Sequence, residues 1–391
     1  MSEPLIFLSA GEASGEHYGA LLMEELKRSM PGARFLGMGG ERMAALGCER
    51  VVRSEDVAVM GITEVIRHLP RIYREYRRLK EAIRKRRPAV AVLIDFPDVH
   101  LRLAVELHRA GVPVIFFVSP QLWAWKKRRI HKVKRYVDRM LVIFPFEEPF
   151  YRERGVNATF VGHPLGDLPL PLGTREEFAA RNGLDATKLW IGLLPGSRAR
   201  EIRLNLPEML RAAALLCGQD SGQGAQMEFL LPFAPTLSAA DRERAQAMVD
   251  AMGAGERVHL LTDARGALRH ARASVVASGT ATVDAALMGN PFVVVYRVSR
   301  LTYAIARRVV KVPHVAMVNL VADRRVVPEL IQDNYSAEKV VEYLRPLLED
   351  EVARRQMMRE LEEVRAKLRW DGNSGESAIA RVAAIVRETI A

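Results

Sequence analysis

The chain has 391 residues, of which 49% are hydrophobic and 27% charged, and this globular composition predicts two domains. No apolar run approaches the roughly 20 residues of a membrane-spanning helix. Met1–Leu8 also lacks the basic flank of a signal peptide, so we expect a cytoplasmic protein. The net charge of +11 favours anionic partners, namely nucleic acid, lipid headgroups or phosphorylated substrates.

Short apolar runs alternate with amphipathic segments, a rhythm typical of parallel sheets with helices on both faces. The predicted strands of the first half are Leu5–Ser9, Val90–Ile94, Val114–Val118 and Met140–Phe144. Those of the second half are Trp190–Leu194, Glu228–Leu231, Val258–Leu260, Ala273–Val276 and Phe292–Tyr296. The fold class is therefore α/β with two Rossmann-like domains. The Pro- and Gly-rich stretch Gly162–Gly173 separates the domains, which we place at 1–165 and 174–345, with C-terminal helices in 346–391.

A first motif, GEASGE, follows the opening strand and precedes a predicted helix at Tyr18–Ser29. Its small residues allow close approach to a ligand, and a helix N-terminus favours an anion, so Glu12, Ser14 and Gly15 are candidate site residues. A capped turn without a ligand is the equal alternative. We expect Gly37–Gly40 to be a structural turn.

A basic amphipathic region comes next. Apolar residues recur at helical spacing over Ile62–Ile83, and ten Lys and Arg stand against three acids between Glu64 and Arg87. A surface helix with its apolar face in the core is the favoured interpretation.

Two carboxylates follow the predicted strand Val90–Ile94. Ligands in open α/β sheets bind beyond the carboxyl ends of strands, and a buried carboxylate there can serve as a general base. We expect Asp98, after Pro97, to cap the next helix, Val99–Ala110, which leaves Asp95 as the catalytic candidate.

Two tryptophans lie beside a run of cations. Trp123 and Trp125 precede Lys126, Lys127, Arg128 and Arg129. Aromatic rings next to cations suit a lipid headgroup layer. The alternative is that both rings belong to the core. No zinc-ligand set or RNA-binding signature accompanies the charge, and neither Cys48 nor Cys217 has metal-ligand spacing.

The second half carries two loops suited to a diphosphate. LLPGSR ends a strand with Gly196, Ser197 and Arg198, and an arginine can hold a diphosphate bidentately. ASGTATVD follows another strand and opens a helix, where the amides and hydroxyls of Ser278, Gly279 and Thr280 could cradle phosphate and Asp284 could accept from ribose hydroxyls. Each loop alone is equally a capped helix; together they predict a nucleotide site.

Taken together, these motifs closely resemble the lipid-A-disaccharide synthase family over nearly the whole chain. The motifs are GEASGE (11–16), VMGITEV (59–65), IDFPD (94–98), VSPQLWAW (118–125), GHP (162–164), LLPGSR (193–198), ASGTATVD (277–284) and NL (319–320). Glu16 departs from the Asp usual in the family, and the family can hold Glu where Asp284 stands.

The resemblance implies the two-domain glycosyltransferase-B fold and no metal or other cofactor. It implies condensation of uridine diphosphate (UDP)-2,3-diacylglucosamine with 2,3-diacylglucosamine 1-phosphate at the cytoplasmic face of the inner membrane, in lipid A biosynthesis. By similarity, Asp95 is the essential acid, Arg198 and Asp284 contact the nucleotide, and Asn319 lies in the loop facing it. Glu12, Ser14, Gly15, Asp98 and His163 are expected on the acceptor or donor-sugar side.

Two alternatives stay open. One is another UDP-N-acetylglucosamine transferase or epimerase of the same fold. The other, from a different class, is a basic nucleic-acid-binding protein, which would show a steep salt dependence of binding.

Overall fold

The computed structural model describes residues 3–11, 13–56, 62–219, 226–234, 237–252, 256–310, 312–370 and 375–391. The chain divides into two units. The first unit consists of Met1–Asp167 with Leu368–Ala391, and the second consists of Leu168–Lys367. The division between Asp167 and Leu168 falls inside the Pro- and Gly-rich stretch that the sequence singles out.

The first unit is built on a parallel sheet of seven strands in the order β3-β2-β1-β4-β5-β6-β7. The strands are β1 Leu5–Ala10, β2 Arg34–Gly39, β3 Cys48–Arg53, β4 Val90–Ile94, β5 Val114–Phe117, β6 Arg139–Val142 and β7 Ala158–Phe160. β4 and β5 are buried along their whole length, because helices cover both faces of the sheet. Their continuous apolar sequences follow from this burial.

The helices of the first 167 residues connect these strands. They are α1 Ala13–Ser29, α2 Glu41–Ala45, α3 Ile62–Arg86, α4 Pro97–Arg109, α5 Ile130–Tyr136 and α6 Glu147–Arg152. The predicted turn at Gly37–Gly40 is wrong, since Gly37 lies within β2, where its backbone runs so close to β1 that an added Cβ would lie 2.0 Å from the Leu8 carbonyl oxygen.

The second unit repeats the plan with a parallel sheet of six strands in the order β10-β9-β8-β11-β12-β13. Its strands are β8 Leu189–Leu194, β9 Met227–Pro232, β10 Val258–Leu261, β11 Ala273–Ala277, β12 Phe292–Tyr296 and β13 Glu329–Ile331. Its helices are α7 Arg175–Asn182, α8 Ala199–Gln219, α9 Ala239–Ala251, α10 Ala264–His270, α11 Thr280–Leu287, α12 Arg300–Val309, α13 Met317–Ala322, α14 Ala337–Glu349 and α15 Glu351–Leu368.

The last helix, α16 Ala378–Ile390, belongs to the first unit, where it packs against α1 and β4. The segment leading to it is held there too, because the backbone N–H of His163 donates to the Leu368 carbonyl at 2.8 Å. The C-terminal segment 346–391 that the sequence analysis set apart is thus divided between the two units.

Candidate active site

The predicted acid and the first motif come together in the first unit. The strand order of its sheet reverses between β1 and β4, which are paired neighbours with Ala10 opposite Ile94. Open α/β sheets bind ligands at such a reversal, beyond the carboxyl ends of the two strands. Asp95 lies in the turn that follows β4, and Ser14 lies in the first turn of α1, which follows β1. Ser14 is exposed and Gly15 is buried against the Ile94 carbonyl, whereas Glu12 lies outside the described residues.

Asp95 sits in a strained backbone. Asp95 and Phe96 have φ values of 52° and 48°, in the left-handed region that residues with a Cβ seldom adopt. The N–H of Asp95 donates to the Phe117 carbonyl at 2.9 Å. The Phe96 ring lies against Gly11, where an added Cβ would be 2.3 Å from a ring carbon. These contacts from both neighbouring strands over-determine the turn and fix where the acid stands.

A buried histidine completes this turn. His100 is fully buried, and its Nδ1–H donates to the Asp95 carbonyl at 2.6 Å, since a carbonyl can only accept. Its Nε2 therefore accepts from the Ser9 hydroxyl at 2.8 Å. Burial lowers the pKa of His100 to about 4, so the ring is neutral at physiological pH. His100 is a positioning residue that the sequence analysis did not identify.

Asp98 does not cap the helix as predicted. Pro97 takes the first helical position, for which its fixed φ is suited, so α4 begins earlier and Phe96 becomes the N-cap. Asp98 is exposed and paired with Arg129 and, at 3.7 Å, with Lys126. Partial burial raises the pKa of this carboxyl, but the hydrogen bond and charge of Arg129 outweigh it and hold the pKa below its usual value. Asp98 is therefore engaged with cations rather than free to act as a base.

The two predicted membrane tryptophans differ in their surroundings. Trp123 is only partly exposed, and its indole N–H donates to Glu147 Oε1 at 3.0 Å while its ring meets Phe146 edge-on. The membrane role of Trp123 stays a prediction, and these contacts favour the alternative that the ring belongs to the core, because they anchor its loop inside the unit. Trp125 is 41% exposed, with the Lys126 ammonium 4.2 Å from its ring centroid. Lys127 and Arg128 are exposed beside it.

Glu147 holds the loop that contains Trp123 in place through several hydrogen bonds of its carboxyl. Its buried carboxyl also accepts from the Ser119 hydroxyl at 2.7 Å and from the Phe144 N–H at 3.2 Å. Burial raises the pKa of Glu147 to about 7, although these hydrogen bonds oppose the rise. The sequence offered only a pair of adjacent glutamates after a strand as a signal for it.

His163 lies inside the first unit and not on a ligand-facing surface. It is 2% exposed, its Nδ1 accepts from the Leu165 N–H at 3.2 Å, and its ring packs against Phe144. Burial lowers the pKa of His163 to about 3. The ring caps the 3₁₀ turn Pro164–Gly166 where the chain leaves β7. The sugar-side role of His163 stays a prediction that this burial disfavours.

The nucleotide candidates meet at the reversal of the second sheet, between β8 and β11. The loop after β8 holds Gly196, Ser197 and Arg198, whose side chain is 55% exposed and lies 3.4 Å from Glu201. The loop after β11 holds Ser278, Gly279 and Thr280, and no side chain caps the helix α11 that follows among the described residues. The N-terminus of α11 therefore opens at a strand end, which suits a diphosphate, whereas before α8 the Ser197 N–H donates to Glu201 Oε2 at 3.0 Å.

Asp284 lies one turn into α11, mostly buried and 3.7 Å from the Arg265 guanidinium. Burial raises the pKa of Asp284 to about 6, and Arg265 partly counters it. Within the part of the chain that is described, its Oδ1 has no hydrogen-bond partner, so the carboxylate keeps accepting capacity.

Asn319 is not a free ligand contact. It is fully buried in α13, its amide NH₂ donates to Val327 and Glu329, and its oxygen accepts from the N–H groups of Val326 and Val327. These four hydrogen bonds use all that an asparagine side chain can make. Asn319 thus fixes the turn before β13, and its contact with the nucleotide stays a prediction that these hydrogen bonds disfavour.

Two kinds of feature are absent from the described residues. No helix in them is long and apolar enough to cross a bilayer. Nor do they contain a group of three or more His, Cys, Asp or Glu that could hold a metal ion.

Comparison with known proteins gives one consistent answer. The family model for lipid-A-disaccharide synthetase matches residues 6–383. The lipid-A-disaccharide synthase of Acidobacterium capsulatum is 62% identical over all of this chain and 97% of its own length. That of Koribacter versatilis is 51% identical over 97% of this chain and 96% of its own. Among solved structures, the glycotransferase of kitacinnamycin shares the fold, with a TM-score of 0.62 at 15% identity over the whole of both chains.

Proposed function

The chain belongs to the lipid-A-disaccharide synthetase family, glycosyltransferases of lipid A biosynthesis, and we propose that it condenses UDP-2,3-diacylglucosamine with 2,3-diacylglucosamine 1-phosphate, inverting the anomeric centre. The first unit takes the acceptor and the second takes the UDP-sugar. The observation that carries the proposal is Asp95, held in a strained turn at the reversal of the first sheet.

In the proposed reaction, Asp95 accepts the proton of the acceptor 6-hydroxyl. The hydroxyl oxygen forms a bond to the anomeric carbon from the face opposite the diphosphate, and the bond to the diphosphate breaks with its electron pair leaving on UDP. Inversion gives a β-linked disaccharide. His100 supports this step indirectly, because it is neutral and holds the Asp95 carbonyl.

The departing diphosphate needs positive charge. Arg198 and the N-terminus of α11 at Gly279–Thr280 would supply it without a metal ion, since fixed dipoles and cations aimed at developing charge need no reorganisation. Gly196 and Ser197 would border the diphosphate, but the Ser197 N–H is not among the donors because it donates to Glu201 Oε2 at 3.0 Å. Asp284 would accept from the ribose hydroxyls, which its unfilled accepting capacity favours.

The substrates carry acyl chains, so the enzyme must meet them at a bilayer. We propose a peripheral position at the cytoplasmic face of the inner membrane, with phospholipid rather than nucleic acid as the anionic partner. Exposed Trp125, Lys127 and Arg128 would contact the headgroups. Ser14 and Gly15 would lie near the acceptor.

Mass spectrometry of the products tests the proposal. The full chain is incubated with the two acylated precursors without divalent metal, and disaccharide 1-phosphate and UDP are expected. The anomeric coupling constant of the product distinguishes inversion from retention. Equal turnover of the unacylated donor would instead favour another UDP-N-acetylglucosamine enzyme.

The role of Asp95 is tested by Asp95→Asn, with Asp98→Asn as the matched control three residues away. We expect kcat to fall about 10²–10⁴-fold in the first variant only, which is the usual contribution of a general base. A folded Asp95→Asn protein with near-normal kcat would contradict the assignment, and a loss confined to Asp98→Asn would move the role there.

A further inference from the structure

Exposed apolar side chains concentrate in one short part of the second unit. Nine large hydrophobic residues are exposed in the described part of the chain, and four of them lie within eleven residues in and after α12. They are Ile305 at 55%, Val309 at 49%, Val310 at 37% and Val315 at 38% exposure. The other five are dispersed along the sequence. Exposed apolar side chains that cluster mark an interaction site, whereas single ones need no explanation.

Helix α12 separates these residues from its cations. At 3.6 residues per turn, Ile305 and Val309 lie about 40° apart around the helix axis. Arg300 and Arg307 lie about 20° apart on the opposite side. Arg308 lies on the flank, where a long side chain can extend its charge past an apolar surface. The helix is thus amphipathic but shows both faces to solvent, since its described residues are exposed or only partly buried.

The stretch of sequence that contains α12 carries charge of one sign, although Glu329 from β13 accepts from the Val315 N–H at 3.1 Å. From Ala285 to Ala322 the sequence has five Lys and Arg and no Asp or Glu. Arg300, Arg307 and Arg308 have no carboxylate partner among the residues that the structure describes, in contrast to Arg297, which pairs with Glu208 at 3.3 Å. The basic segment Lys126–Arg129 of the first unit differs from α12 in this respect, because Arg129 and Lys126 pair with the Asp98 carboxylate.

We propose that α12 docks on an anionic bilayer, with Ile305 and Val309 entering the headgroup–acyl boundary and the arginines contacting lipid phosphates. The proposal rests on the proposed function, which places both substrates in a bilayer. An apolar face flanked by unpaired cations matches a surface that is apolar inside and anionic outside. A second copy of this helix would bring like charges together, and nucleic acid would leave the apolar face in water.

Vesicle sedimentation tests the proposal on the full chain. The vesicles are phosphatidylethanolamine with phosphatidylglycerol, and pure phosphatidylcholine serves as the neutral comparison. Arg307→Ala/Arg308→Ala should weaken partitioning into anionic vesicles about 30-fold at low salt, since each arginine near such a surface contributes about fivefold. Its effect should shrink at high salt.

The apolar part is tested by Ile305→Gln/Val309→Gln, which leaves the charge unchanged. It should reduce the salt-resistant binding about tenfold, as expected for two half-exposed aliphatic side chains. Val352→Gln is the matched control, because Val352 is 76% exposed on α15 of the same unit. This control should sediment like the parent protein.

Wild-type sedimentation of both double variants would overturn the proposal. So would a concentration-dependent dimer, seen by light scattering, that only Ile305→Gln/Val309→Gln abolishes while vesicle binding is kept. UDP affinity, measured by calorimetry, separates the docking surface from the proposed function. All variants should bind UDP normally. A parent protein that binds vesicles but neither binds UDP nor forms disaccharide would refute the proposed function and not the docking surface.

Discussion

Replacing His100 separates the two hydrogen bonds that it makes, with Ser9 and with the backbone of Asp95, the proposed catalytic residue. His100→Asn keeps a donor near the Nδ1 position, so the hydrogen bond to the Asp95 carbonyl is kept and the one from the Ser9 hydroxyl is lost. His100→Gln keeps an acceptor near the Nε2 position, so the hydrogen bond from the Ser9 hydroxyl is kept and the one to the Asp95 carbonyl is lost. Both variants lose ring volume in a fully buried site and leave one polar partner unsatisfied, which costs about 1–3 kcal/mol. Their losses of stability should therefore be similar.

Their catalytic losses should not be similar. Two consecutive left-handed residues, Asp95 and Phe96, store about 2–4 kcal/mol of strain. That is comparable with the hydrogen bond that His100→Gln removes, so the turn can relax and displace the acid. A displacement of about 1 Å costs on the order of 10² in rate.

The assay compares kcat, KM and melting temperature for the two variants. We expect kcat of His100→Gln to fall about 10²-fold with little change in KM, and kcat of His100→Asn to stay within a few-fold of the parent. Equal losses of kcat in the two variants, at equal melting temperatures, would refute the positioning role and leave His100 as a core residue only.

Two further predictions concern Glu147 and Arg198. Because the pKa of Glu147 rises from about 4.5 unfolded to about 7 folded, the folded state holds the proton more tightly, and its stabilising contribution is lost as pH rises through that window. Urea unfolding should show a decline approaching about 3 kcal/mol, which Glu147→Gln flattens; an unchanged slope would contradict this. Arg198→Ala should weaken UDP binding about tenfold or more in the absence of divalent metal. Arg200 is a neighbouring exposed arginine, and Arg200→Ala should leave UDP binding unchanged. Calorimetry that detects UDP binding only with magnesium would count against the site.

Most strands inside the two sheets could be predicted closely from sequence, whereas β2 and several edge strands could not. β4 and β12 match their predicted ranges, because strands buried on both faces appear as unbroken apolar runs. β2, β3, β7 and β13 were missed, and the glycines of β2 had been interpreted as part of a turn. β3 carries charged residues, and β7 and β13 have three residues each, as is usual at sheet edges.

Some residues of the candidate site could be predicted from local sequence, and others depend on contacts between distant parts of the chain. Asp95 and Arg198 could be identified because each follows a strand, which is a local signal. The partners of His100 and Glu147 could not, since Ser9 is 91 residues from His100 and Ser119 is 28 residues from Glu147. Only the folded chain reveals that Asn319 has used its hydrogen bonds or that Trp123 is anchored.

The return of α16 to the first unit has a consequence for how the protein is made. Multidomain chains usually fold from the N-terminus as each domain leaves the ribosome. Here the 200 residues of Leu168–Lys367 are synthesised between the seven strands of the first unit and the helix that covers its α1 and β4. The surface of α1 and β4 that α16 contacts is therefore not yet covered by this helix while the second unit is being translated. A premature stop before α16 would remove the packing of this helix on β4, which ends one residue before the proposed catalytic Asp95.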